Sequence, residues 1–167
     1  MPTSGRGRQP QADMDGPRAA DLLAHLRRRE IAVWVDGGWA VDALAGRQTR
    51  AHNDLDLVIR LEEVESVERE FAALGYERAG GEPPMSFESV AADGRQVDSH
   101  PIAADGTYLL RDGSTWRYPL PERQARGTIG GREVRCLDAG MQIVCHDGYE
   151  KTDKDHHDLA LLEALAR

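Results

Sequence analysis

The sequence predicts a mixed α+β domain, one sheet with helices packed on it. Short aliphatic runs of strand length alternate with amphipathic stretches of helical period, Gly-Gly and Asp-Gly pairs punctuate them, and there is no internal repeat. A chain of 167 residues suits a single core. Its 29 acidic side chains against 21 basic ones give a net charge of −8, which repels nucleic acid phosphates, so no nucleic acid partner is expected. The apolar runs are too short to cross a ~30 Å hydrocarbon layer. The polar start shows no secretion signal, so no membrane partner is expected and the cytoplasm is the expected location. Cys136 and Cys145 make neither a disulfide framework nor a zinc-type spacing.

Residues 1–16, rich in Gly, Pro, Arg, Gln and Asp, read as a disordered leader, with a single domain over 17–167. Gly16-Pro17 opens a helix whose Leu22, Leu23 and Leu26 share a face and whose end, Arg27-Arg28-Arg29, suits the negative end of the dipole. Residues 31–35 form a buried strand, closed by Asp36-Gly37-Gly38, and 39–45 a short helix stopped by Gly46. Residues 54–59 return to strand character. Leu61, Val64, Val67, Phe71 and Leu74 then mark an amphipathic helix. Asp93-Gly94 predicts a hairpin between 87–92 and 95–102, and Gly130-Gly131 predicts a second. Between them 103–126 has no period and is expected to wander over the surface. Helices over 138–147 and 153–166 close the chain, the second with Leu159, Leu162 and Leu165 on one side.

Asp-x-Asp occurs at 13/15, 54/56 and 153/155, but only Asp54 and Asp56 sit among strand-forming aliphatics. Residues two apart on a strand share a face at about 6.5–7 Å between Cα atoms. Two carboxylates so placed can converge on one hard divalent cation. The competing reading is a solvated strand end. Asp98, on the return strand of the Asp93-Gly94 hairpin, supplies a third acid. A two-residue turn pairs 92 with 95, sets Ser89 opposite Asp98 and turns the rival acid Glu88 to the other face unless a bulge intervenes. Three such carboxylates suit one or two Mg²⁺ ions and phosphoryl or nucleotidyl transfer. Gly37 and Gly38, between strand and helix, let backbone approach a phosphate, although Gly-Gly pairs often only make a turn.

Read as one string, Trp34-Val-Asp-Gly-Gly-Trp-Ala-Val-Asp-Ala-Leu-Ala-Gly-Arg-Gln-Thr-Arg-Ala-His-Asn-Asp-Leu-Asp56 resembles the antibiotic nucleotidyltransferases of the DNA polymerase β-like superfamily. The likeness is first to the lincosamide nucleotidyltransferases and next to the aminoglycoside 2''-adenylyltransferases. Asp98-Ser-His100-Pro101, His146-x-Gly148-Tyr149 and Asp155-x-x-Asp158 extend it. The resemblance implies a nucleotidyltransferase fold, Mg²⁺ on Asp54, Asp56 and Asp98, phosphate contacts from Gly37 and Gly38, and ATP as co-substrate. It implies AMP transfer to a hydroxyl of a small antibiotic, lincosamide first and aminoglycoside second, by a homodimer. Arg50 matches a family position that touches the triphosphate or pins the loop before Asp54; His52 is expected as a structural hydrogen bonder. Rival expectations are a nucleotidyltransferase acting on a protein hydroxyl, an inactive nucleotide-binding module and, more distantly, a metal hydrolase on His146, His156, His157 and Asp158.

Overall fold

A computed structural model of the chain describes residues 12–167. Of the expected leader, residues 1–11 lie outside the described residues, whereas 12–16 belong to the fold. Ala12 N–H donates to Asp93 O (3.2 Å), Met14 N–H to His52 O (2.9 Å), and Met14 is fully buried. Asp15 then caps α1 (Gly16–Arg28) by accepting from Arg18 N–H at 2.9 Å, with Pro17 in the first turn. Leu22, Leu23 and Leu26 point inward as their spacing requires, and His25 reaches Glu70 at 2.7 Å, tying α1 to α3 (Val64–Ala73).

Seven strands form one mixed sheet in the order β3-β4-β5-β2-β1-β9-β8. They are β1 (Val33–Asp36), β2 (Asp54–Arg60), β3 (Tyr76–Gly81), β4 (Phe87–Ala91), β5 (Gln96–Ile102), β8 (Gln124–Ile129) and β9 (Arg132–Leu137). The central β2 lies antiparallel to β1 and parallel to β5. One face carries the main core: Leu55, Leu57, Ile59 and Val97 from the sheet meet Leu26 of α1, Val67 and Phe71 of α3, and Trp39 and Ala43 of α2 (Gly37–Ala45). The other face is only partly covered. There Trp34, Val58, Ile102 and Leu137 pack with Tyr118 and with Met141 of α4 (Ala139–Cys145). Strand alternation therefore puts Val58 in this smaller cluster and Asp54 and Asp56 on the same face, beyond its edge.

Several expectations are corrected. The stretch over 61–74 is a 3-10 turn (Leu61–Glu63) followed by α3, and Leu61 and Leu74, each 38% exposed, are not core residues. The stretch 103–126 is not a surface excursion: it contains a small hairpin, β6 (Thr107–Leu109) and β7 (Thr115–Arg117), and delivers buried Tyr118 to the second cluster. In α5 (Asp153–Leu165) Leu162 is buried, but Leu165 is 43% exposed.

The Asp93-Gly94 hairpin differs by one residue. Ala91 N–H donates to Arg95 O, Ala91 O accepts from Gly94 N–H, and Gly94 has φ +89°, which is a three-residue loop rather than a two-residue one. Glu88 therefore pairs with Asp98, and Ser89 with Val97, so Glu88 shares the face of Asp98.

Candidate active site

The register of four neighbouring strands aligns acids across the sheet: Asp36 of β1 faces Asp56 of β2, Asp56 faces Asp98 of β5, and Asp98 faces Glu88 of β4. Like charges on directly opposed strand positions repel. Asp54, two residues before Asp56 and on its face, completes the constellation. Asp54, Asp56 and Asp98 each place a carboxylate oxygen within 4.8 Å of the other two. Among the described residues this is the one such group of His, Cys, Asp and Glu with metal-holding spacing. All three are half-buried, and the donor set is wholly oxygen, so the residues fit a hard divalent cation such as Mg²⁺.

The electrostatics agree with a site built for positive charge. Burial, then the repulsion of Asp56 and Asp54, pushes the Asp98 carboxyl up to about 7 against the opposing hydrogen bond from Gln96 Nε2 (2.7 Å). Burial likewise raises Asp56, although His100 Nε2 donates to its Oδ1 at 3.2 Å and pulls the other way. The His100 ring meets Tyr108 edge-on, Tyr108 meets Tyr118, and the Tyr118 hydroxyl donates to Asp36 Oδ2 at 3.5 Å. The β6–β7 hairpin thus braces the site at two acids, Asp56 and Asp36.

Asp36 also caps α2, its Oδ1 accepting from Gly37 N–H at 2.8 Å. Both glycines leave room for side chains of the site. Gly37 has φ +63°, and a Cβ there would stand 2.5 Å from Asp56 Oδ2. A Cβ on Gly38 would overlap Arg50 Nη2 and lie 2.8 Å from His52 Nδ1. Arg50 spends Nε and Nη2 on Asp158 Oδ1 and Oδ2 (2.9 and 2.7 Å) and Nη1 on Ala51 O (3.1 Å), so it pins the loop before Asp54 while lying against Gly38. Buried His52 donates through Nε2 to Asp42 Oδ2 (2.6 Å) and stacks on Trp39 at 4.4 Å. Burial opposes ionisation of Asp42, yet hydrogen bonds from His52 and Thr49 outweigh it and hold its carboxyl below the usual range. The pair is structural, as expected of His52.

The structure thus brings Asp54, Asp56 and Asp98 together, with Gly37 beside Asp56 and Gly38 beside Arg50. It separates the residues of the alternative histidine site: His146 binds Gln142 O, His157 binds Thr49 Oγ1, and Asp158 binds Arg50. Sequence reasoning missed Asp36, Gln96 and Tyr118. Gln96 was open to discovery, because it lies two residues before Asp98 on the same strand face. Tyr118 carried no local signal.

The family model for aminoglycoside-2''-adenylyltransferases matches residues 19–162. A lincosamide resistance protein of Staphylococcus haemolyticus is 28% identical over 148 residues, covering 87% of this chain and 90% of its own length. A 2''-aminoglycoside nucleotidyltransferase of Klebsiella pneumoniae is 34% identical over 116 residues, covering 69% of this chain but 63% of its own length. A lincosamide antibiotic adenylyltransferase solved with lincomycin bound shares the fold, with a TM-score of 0.80 at 24% identity over 92% of this chain and 99% of that one. The match from the first core helix to the last places the acidic sheet face within a family whose members transfer nucleotides: the chain belongs to the aminoglycoside-2''-adenylyltransferase family.

Proposed function

We propose that the protein transfers AMP from ATP to a hydroxyl group of a small, amine-bearing antibiotic, with lincosamides the first class to test and aminoglycosides the second. The observation that carries this reading is the convergence of Asp54, Asp56 and Asp98 within 4.8 Å on one sheet face. The order of acceptors follows coverage: the lincosamide resistance protein is matched over 90% of its length and the aminoglycoside enzyme over 63%.

Asp54, Asp56 and Asp98 would hold Mg²⁺, which when bound neutralises charge on the triphosphate and on the departing pyrophosphate. Gly37 and Gly38 open α2 beside these acids and, with Arg50, form the phosphate-facing side. Because Asp36 already takes the Gly37 N–H, Gly37 contributes room, and donors come from Gly38 and Arg50. Asp98, whose carboxylate stands beside those of Asp54 and Asp56 on the same sheet face, serves as the general base for the acceptor hydroxyl. It takes the proton of the acceptor hydroxyl as that oxygen bonds to the α-phosphorus and the bond from the α-phosphorus to its bridging oxygen breaks, releasing pyrophosphate. His100 and Gln96 keep the reacting carboxylates oriented.

Mass spectrometry tests this directly: protein, ATP and Mg²⁺ are incubated with a panel of lincosamides and aminoglycosides, with Asp54→Asn alongside. One antibiotic should gain a single AMP, and the variant should give none while keeping its fold. Near-normal turnover by Asp54→Asn would remove the metal assignment. AMP on a protein acceptor and on no antibiotic would move the acceptor to the protein-modifying reading.

A further inference from the structure

The loop of residues 46–53, which delivers Asp54 to the site, is tied down from two sides. On the α2 side, Asp42 accepts from Thr49 N–H (2.9 Å), from the Thr49 hydroxyl and from His52. On the α5 side, His157 Nε2 donates to Thr49 Oγ1 (2.8 Å), and Asp158 receives the Arg50 fork at 2.9 and 2.7 Å. Helix α5 is a firm support. Thr152 and Asp155 close a reciprocal cap at its start, and Asp158, one turn further on, is buried.

Arg50 has five N–H donors. Nε, Nη2 and Nη1 each spend one, on Asp158, Asp158 and Ala51, which among the described residues leaves two, one on each Nη. The fork lies against Gly38, where a Cβ would overlap Nη2, so the guanidinium stands at the opening of α2 beside the acidic face. Its other anionic neighbours are Asp42 and Asp54. A guanidinium released from Asp158 would still feel the attraction of those two carboxylates, and a shift towards Asp54 would take it from the opening of α2.

We propose that Asp158 is a positioning residue for the donor nucleotide: by holding Arg50 in a two-pronged grip beside Gly38, it aims the two spare N–H donors at the nucleotide phosphates. Helix α5 thereby acts on nucleotide recognition through Arg50. This inference rests on the reading of Arg50 as a nucleotide-binding residue. A bidentate carboxylate fixes both the place and the plane of a guanidinium, which a single contact does not.

The test measures binding of α,β-methylene-ATP with Mg²⁺ by calorimetry, at a temperature well below the melting point of each variant. Arg50→Gln and Asp158→Asn should each raise Kd by about tenfold, as loss of a supporting partner typically does. The double variant should be no weaker than the weaker single one, because both changes remove the same interaction. Arg50→Lys, which keeps the charge and loses the fork, should bind as poorly as Asp158→Asn. A melting shift in Asp158→Asn with wild-type Kd, alongside weakened Arg50→Gln, would reduce Asp158 to a structural role and overturn the inference. Wild-type binding by Arg50→Gln would instead overturn the reading of Arg50 itself. A double variant weakened by the product of the two single effects would show that the residues act independently. If Asp158→Asn does not fold, Arg50→Lys decides, and wild-type affinity there would overturn the positioning role.

Discussion

Asp98 shows how one residue joins stability to chemistry. Its carboxyl is half-buried and faces Asp56 across the strands, so ionisation inside the fold costs more than in the unfolded chain, and its pKa rises to about 7. A carboxyl raised in the folded state stabilises fully below its unfolded value near 3.8, and that stabilisation is lost as pH rises to about 7. In the absence of divalent ions, Asp98→Asn should therefore melt higher than the unaltered protein at pH 8, and the gap should close towards pH 4. Thermal melts by circular dichroism in a chelator, across that range, check this. An equal gap at both ends would mean that the acid is not strained by its neighbours. Asp54 and Asp56 were legible in the sequence because strand alternation alone fixes their common face, whereas Asp98 joins them through the β2–β5 register. Glu88 was not, because a hairpin loop one residue longer than its Asp-Gly pair suggests flips every side chain of the facing strand.

Local signals carried the elements further than they carried their arrangement. The opening of α1 at Gly16-Pro17, the Gly46 stop at φ +75° and the Gly130-Gly131 hairpin follow from short-range chemistry and stand where the sequence puts them. Strand β3 shows only Tyr76 to the core and so has no alternating pattern to read, and β6 and β7 are three residues each. The order of the strands is set by contacts between distant segments, as where Gly127 of β8 meets α2. A Cβ on Gly127 would stand 2.5 Å from the carbonyl carbon of Ala43 and 2.6 Å from its oxygen, both backbone atoms that cannot rotate away. Gly127→Ala should push α2 off β8 at a cost of about 1–3 kcal/mol, the usual range for overpacking. Because α2 also carries Asp42, the same change should loosen the hold on Thr49 and His52 and lower turnover as well as the melting temperature. Chemical denaturation and a steady-state assay measure the two effects, and unchanged stability would show that α2 and β8 are not packed this closely.

At the scale of the whole molecule, a net charge of −8 and a row of acids across four strands give the protein a field that acts on ligands before contact. That field favours an amine-bearing acceptor and opposes free nucleotide, so the two substrates should answer differently to salt. The screening length shrinks from about 10 Å at 0.1 M to about 3 Å at 1 M ionic strength, which leaves short, half-buried contacts largely intact and removes the long-range attraction. With Mg-ATP held saturating, the KM for a cationic antibiotic should rise several-fold as potassium chloride goes from about 50 to about 500 mM, while kcat stays nearly constant. Keeping the nucleotide saturating matters, because the same field acts on Mg-ATP and its own response to salt would otherwise enter the rate. A KM indifferent to salt, with turnover present, would mean that the acceptor is recognised by contact alone and that the acidity of this sheet face serves the metal and the nucleotide only.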